Sequence, residues 1–454
     1  MNLEQVARQL VDMAHDRGAA DADALAIADT SESVRVRHGK PESVEREDSR
    51  GVGLRVFVKT NGGLAFASAS TSDVSDHGLQ HLVDQVLTMA HISAPDPDAM
   101  PPSGAAHPDA EELKSWKVRH HDLALPWNTE AAVEAALACE AAALDYSPQI
   151  GNSEGAEASF GLLSVAYASA DGFASHYNRG SLGLALSVVA GEGSGMQRDY
   201  AYDQGRHVEE LRAPDEIGRE AATRAVQRLQ PGSIDSGRMT VVFEPRCAAS
   251  LLGHLAGAAN GRAVLQQRSF LTDRVGQPVF PEFVRILDNP DHSKGTGNRL
   301  FDGEGTRCEP LTLIENGRLQ GYLTDRYAAR RLGTTSTGHA RRGLTGDLGI
   351  GPSNLIMEPG KVPLDGLLRE IGTGVLITEL MGFGVNAVTG DYSRGASGFL
   401  IENGEVSRPV SGFTIAGNLV DMYAGIIGLG DDLTWFGSRA VPSIAIANMT
   451  VACQ

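Results

Sequence analysis

Leu3, Val6, Leu10 and Met13 recur at steps of three and four, so they form one apolar stripe on an amphipathic helix that Gly18 is placed to end. The period then changes to two. In "GVGLRVFV" (51–58) Val52, Leu54 and Val56 share one face, and "ALAIA" (24–28), "SVRVR" (33–37) and "LAFASAS" (64–70) read as further short strands. The turn "KTNGG" (59–63) joins two of these runs as a hairpin. A second helix is expected from "TSDVSDHGLQHLVDQVLTMAH", capped by Ser72 or Asp73, with Val74, Leu82, Val86 and Met89 turned inward.

The pattern breaks at 92–126, where "SAPDPDAMPPSG" carries four prolines and favours a linker. An alanine-rich helix is expected from Thr129, strands at 159–169 and 180–191 with a turn at Asp171-Gly172, and a helix over 214–229 with Pro214 in its first turn. Beyond a boundary at 231–237, two hairpins centre on Asn316-Gly317 and Asn403-Gly404, each within an "IENG" run. These elements predict an α+β fold. An N-terminal α/β domain (1–91) is followed by the Pro-rich linker (92–126). A middle region (127–230) continues the first domain, and a large, mostly antiparallel β domain fills 231–454.

Composition narrows the function. The chain has 454 residues and a formal net charge of −18, which argues against nucleic acid and against an anionic membrane surface. The N-terminal stripe is interrupted by charges, unlike a signal peptide, and no apolar run approaches a membrane span. Cys139, Cys247, Cys308 and Cys453 are too far apart in sequence for a CxxC pair. A cytoplasmic location fits this usage.

Candidate chemistry is sparse. His77 and His81 stand four apart on a helix, the spacing of a zincin, but Gly78, Leu79 and Gln80 separate them and supply no glutamate. His120-His121 falls in the linker, where neighbouring histidines make a poor joint ligand. Ser393 and Ser397 have no histidine nearby in sequence, and "MGFGVNAVTGD" (381–391) lacks a complete phosphate-loop pattern. Arg330-Arg331 ends a short helix before Gly333. With Arg341-Arg342 it offers either helix-end charge or a carboxylate contact. His254, in "SLLGHLAGAANG" (250–261), lies on an apolar helix.

Three blocks carry a longer signal: "STGHARRG" (336–343), "ITELMGFGVNAVTGDYSRGASGFLIENGEV" (377–406) and "TIAGNLVDM" (414–422). Together they resemble the TldD/PmbA peptidase family, within its PmbA (TldE) branch. The N-terminal "SVRVRHGKPESVEREDSRGVGLRVFV" and the middle "MQRDYAYDQGRHVEEL" also look like earlier segments of that family.

The resemblance implies a cytosolic protein that works as a pair with a TldD-type subunit. That partner carries zinc on an H-E-x-x-x-H helix with a further cysteine ligand, and the pair encloses a cavity in which peptides or unfolded segments are cut. Carried onto this chain, the first zinc histidine falls on Gly253, the glutamate on His254 and the second histidine on Ala258. In the region of the cysteine, "LTWFGSRAVPSI", the nearest match is Phe436. No zinc and no catalytic group is therefore expected in this chain. Its expected contacts to substrate or partner are His254, His339, Gly382, Gly384, Asp391, Tyr392 and Arg394. Peptide capture as an added strand is the expected mode.

Two alternatives stand beside this reading. One is a non-proteolytic peptide-binding modulator or chaperone. The other is an autonomous metallopeptidase with a rearranged site built on His254, His339 or the His77/His81 pair. Homodimerisation of the isolated chain stays open.

Overall fold

The structure is a computed structural model and describes residues 2–119, 127–344 and 348–453. Six strands build the N-terminal half: β1 (Asp21–Arg37), β2 (Lys40–Thr60), β3 (Gly63–Thr71), β4 (Ile150–Ser169), β5 (Ala174–Ala190) and β6 (Gln197–Gly205). They form one antiparallel sheet in the order β3-β2-β1-β4-β5-β6. The two short strands expected at 24–28 and 33–37 are one 17-residue strand. "DTSE" contains no glycine or proline to stop it, and the ladder continues through Thr30, opposite Asp48 on one side and Leu162 on the other.

Side-chain parity divides this sheet into two faces. Ala22, Ala24, Ala26, Val34 and Val36 of β1 are buried beneath helices. Those helices are α1 (Leu3–Asp16), α2 (Asp76–Ile92), α4 (Thr129–Leu144) and α5 (Pro214–Gln227). The odd-numbered Leu25 and Ile27 face the other way, toward Trp116 of α3 (Ala110–Arg119) and toward Leu300 and Phe301 of the C-terminal half. The stretch expected to be a plain linker thus contains α3, and Trp116 buries it against the sheet. His120-His121 lies outside the described residues.

Helix α2 starts later than the sequence suggests. Ser75 is its cap, accepting from the Gly78 amide at 3.1 Å, while Asp73 accepts from the Ser75 amide and shapes the turn before it. Leu82 and Val86 are buried as expected, but Met89 is an exposed residue.

In the C-terminal half, β7 (Gly237–Phe243) pairs with Gly374–Val385 and with Ile444–Cys453. The strands Asp391–Glu402 and Glu405–Asn418 continue from Gly374–Val385, and Glu405–Asn418 returns to pair with Ile444–Cys453. Five strands therefore close on themselves, which removes the free edges. Both Asn-Gly turns form, with positive φ at Asn316, Gly317, Asn403 and Gly404. A second, smaller sheet runs in the order Arg318–Leu319, Leu311–Glu315, Ile286–Asp288, Leu355–Met357, Arg439–Val441, Thr434–Phe436. Helix α6 (Pro245–Ala258) follows β7 and packs between the two sheets, burying Leu251, Leu252 and Leu255 in the main C-terminal core.

Candidate functional site

Helix α6 begins with Pro245 in its first turn, where the missing amide costs nothing, and is tied down when Tyr423 Oη donates to the Leu251 carbonyl at 2.8 Å. Along it, Gly253 and His254 face neighbouring elements. A Cβ on Gly253 would stand 3.2 Å from Arg439 Nη1 and 3.3 Å from its Cζ, so the guanidinium lies against the bare backbone of the helix. Ala258 is buried at 1% exposure and has no ligand atom.

His254 meets a different strand. In Asp391–Glu402 the period of two places Tyr392 and Arg394 on one face, and the Tyr392 ring stands edge-on to His254 with centroids 6.3 Å apart. Burial, then the charges of Arg394 and Arg439, hold the His254 imidazolium below its ordinary pKa. His254 Nε2, Tyr392 Oη and Arg394 Nε are all buried, and none makes a hydrogen bond of normal geometry. Burial raises the Tyr392 hydroxyl pKa, against the opposing charge of Arg394. Neither Arg394 nor Arg439 is within ion-pair distance of a carboxylate among the described residues.

The other expected residues sit elsewhere. His339 is 1% exposed, with Nε2 at 3.0 Å from Asp288 Oδ2 and Nδ1 at 2.9 Å from Thr337 Oγ1. Gly384 belongs to the strand ladder: a Cβ there would lie 2.1 Å from the Ser393 carbonyl oxygen, so the close backbone approach is internal to the sheet. Gly382 has φ +77° and open space around it, beside Phe383, which is 99% exposed at this hairpin end. Asp391 accepts from Thr389 Oγ1 at 2.6 Å and from Asn418 at 3.3 Å, which fixes the loop. His77 and His81 are exposed on α2. Arg342 is buried against Asp23 at 2.6 Å, and Arg331 pairs with Asp98 at 3.1 Å, so both take structural partners.

No motif in the sequence points to the groove beside α6. A cavity of 530 Å³ opens between β6 and the hairpin that carries Thr434–Phe436, with Tyr200, Tyr202, Trp435 and Phe436 among its walls. Tyr202 and Phe436 face each other at 6.1 Å. On the β6 side the free sheet edge is closed by side chains. The carbonyls of Arg198, Tyr200 and Tyr202 accept from Arg228, Arg246 and Arg212 at 3.1, 3.0 and 3.0 Å. The same Arg228 and Arg246, with Arg224, surround the buried Asp199. Burial alone would raise the Asp199 pKa, but these three arginines bring it below the ordinary carboxylate value. Thr434–Phe436 ends the second sheet, and no such side-chain cap reaches its outer edge among the described residues.

Among the described residues no group of three or more His, Cys, Asp or Glu side chains could hold a metal ion. At α6 the donor set does not fit zinc: one imidazole nitrogen lies among two guanidinium groups, a glycine and an alanine. Among the described residues no helix is long and apolar enough to cross a membrane. Cys139, Cys247 and Cys308 are buried free thiols, and Cys453 is exposed.

Fold and site together define a two-part α+β scaffold, with an open antiparallel sheet in one half, a closed strand ring in the other and no metal-binding cluster among the described residues. Models of the PmbA/TldA metallopeptidase match the chain in three parts: domain 1 over residues 22–90, the central domain over 123–229 and the C-terminal domain over 236–453. The chain is 35% identical over 440 residues to metalloprotease PmbA of Escherichia coli O157:H7, covering 96% of this chain and 93% of that one. It is 32% identical over 454 residues to the metalloprotease PmbA homolog of Haemophilus influenzae, covering 99% and 96%. The structure of TldE from Thermococcus kodakarensis superposes with a TM-score of 0.85 at 20% identity, covering 98% and 100%, and shares the fold. The chain belongs to the PmbA/TldD metallopeptidase family, in its PmbA branch.

Proposed function

We propose that this chain is the zinc-free subunit of a cytoplasmic TldD-type peptidase complex. In it, the chain completes the cavity, holds the substrate peptide and stabilises a zinc-bearing partner. The observation that carries this reading is α6 itself. The helix keeps its place between the two sheets, while the positions matched to the metal ligands are Gly253 and Ala258 and a guanidinium lies against the first of them.

The groove supports the substrate part of the proposal. A peptide laid as an added strand needs an open edge and apolar walls. The edge of β6 is closed by arginines, so the peptide pairs with Thr434–Phe436, beside Trp435 and Tyr202. The exposed hairpin end at Gly382-Phe383-Gly384 supports the partner part, because a fully exposed phenylalanine gains about 1.5–3 kcal/mol when a second surface buries it. His339, closed in on every side, drops out of the proposed contact set.

The test is reconstitution. Peptide hydrolysis by a purified TldD-type partner is measured with and without this chain. Activity that needs both chains supports the reading. Equal hydrolysis by the partner alone contradicts it and favours a non-proteolytic peptide-binding modulator.

A further inference from the structure

Three buried polar atoms gather around α6. His254 Nε2 and Arg394 Nε are buried without a hydrogen-bond partner, and the buried Tyr392 hydroxyl has only the neighbouring Arg394 guanidinium acting on it, so the cluster holds donors with no acceptor. They come from two elements, the helix and the strand Asp391–Glu402, and a third element brings Arg439 against Gly253. In a chain of net charge −18, two guanidinium groups act on one imidazole with no carboxylate paired to either among the described residues. Donors in excess of acceptors, under a local positive field, describe an oxyanion site.

We propose that Arg394, Arg439, His254 and the Tyr392 hydroxyl form a carboxylate site that receives the free C-terminus of a peptide. Guanidinium matches a carboxylate in shape, with two parallel N–H donors to two oxygens, and stays charged at any working pH. Arg439 is the exposed member and gives access from solvent, while Arg394 is half-buried and Tyr392 is buried. Gly253 matters here because its missing side chain lets the Arg439 guanidinium lie flat on the helix. Fixed monocations in place of a metal attract the terminal carboxylate but supply no activated water, so the site anchors one end of the chain and cuts nothing. This proposal rests on the peptide-binding reading above and adds to it which end of the peptide is held.

The experiment uses the full chain and two copies of one hexapeptide, one ending in a free carboxylate and one in an amide. Titration calorimetry gives both affinities. The free acid is expected to bind about tenfold more tightly, equivalent to about 1.4 kcal/mol. That preference is expected to vanish in Arg439→Gln and Arg394→Gln and to return in part in Arg439→Lys. In the wild type, the NMR titration of His254 is expected to move to higher pH when the acid binds, because the carboxylate offsets Arg394 and Arg439.

Equal affinities for acid and amide would overturn the carboxylate site and leave peptide binding standing. Failure of both peptides to bind would overturn the two readings together. A preference that survives both glutamine variants, or a His254 shift produced by sodium acetate or inorganic phosphate but not by the acid peptide, would also overturn it.

Discussion

His254 and His339 lie in the same half of the molecule, and the fold treats them in opposite ways. His339 has a carboxylate on one ring nitrogen and a hydroxyl on the other, and it is sealed from solvent. His254 has two guanidinium groups acting on it, an aromatic edge beside it, and a ring nitrogen with no partner. The first environment is that of a residue that holds a fold together. The second is that of a residue waiting for something the chain does not itself provide. Burial alone does not separate them; the inventory of partners does.

The sharpest way to break this contrast is to remove each ring. His339→Ala leaves the Asp288 carboxylate buried without its partner and is expected to lower stability by about 3–5 kcal/mol in urea unfolding. His254→Ala removes only packing against Tyr392 and is expected to cost about 1 kcal/mol or less. Comparable losses from the two substitutions would erase the distinction.

Acid separates the two sites next. Burial raises the Asp288 pKa, but His339 and Arg299 bring it below the ordinary value. Asp288 therefore contributes stability above its unfolded pKa of about 3.9, and this is lost as pH falls through the lower folded value. His254 is also depressed, but it is a base. Below its unfolded pKa of about 6.5 the unfolded chain binds the extra proton, so stability falls with pH until the folded ring protonates. Stability measured against pH is expected to be flatter just below 6.5 in His254→Ala, with the drop near pH 4 intact. An unchanged slope below 6.5 would show that neither burial nor the two arginines depress the His254 pKa.

A smaller effect concerns the helix backbone. Gly253→Ala gains about 1 kcal/mol of helix propensity and pushes the flexible end of Arg439 by a few tenths of an ångström. Thermal unfolding is expected to stay within about 1 kcal/mol of wild type. A large loss would mean that Arg439 is held rigidly against α6.

What could be read from the sequence was local. Both Asn-Gly hairpins, the stripe of α1 and the shared face of Tyr392 and Arg394 follow from spacing within a few residues. The ring closure between Glu405–Asn418 and Ile444–Cys453 has no local signature. Helix α3 was hidden by the prolines before it, although "AEELKSWKVR" has the composition of a helix. The candidate site was half visible: the resemblance points to Gly253, His254 and Ala258 on one helix, but Arg439 arrives on a short hairpin from another sheet. The closed edge of β6 depends on Arg212 in the loop before α5, Arg228 just after α5 and Arg246 in the first turn of α6, which no periodicity announces.

In the proposed complex, α6 occupies the place of a metal helix without binding metal. Zinc analysis of the purified chain, alongside that of the reconstituted pair, decides this. Substoichiometric zinc is expected in this chain alone, with the metal and the peptide hydrolysis appearing only when the TldD-type partner is present. One zinc per chain in the isolated protein, lost on His254→Ala together with peptide cleavage, would contradict it.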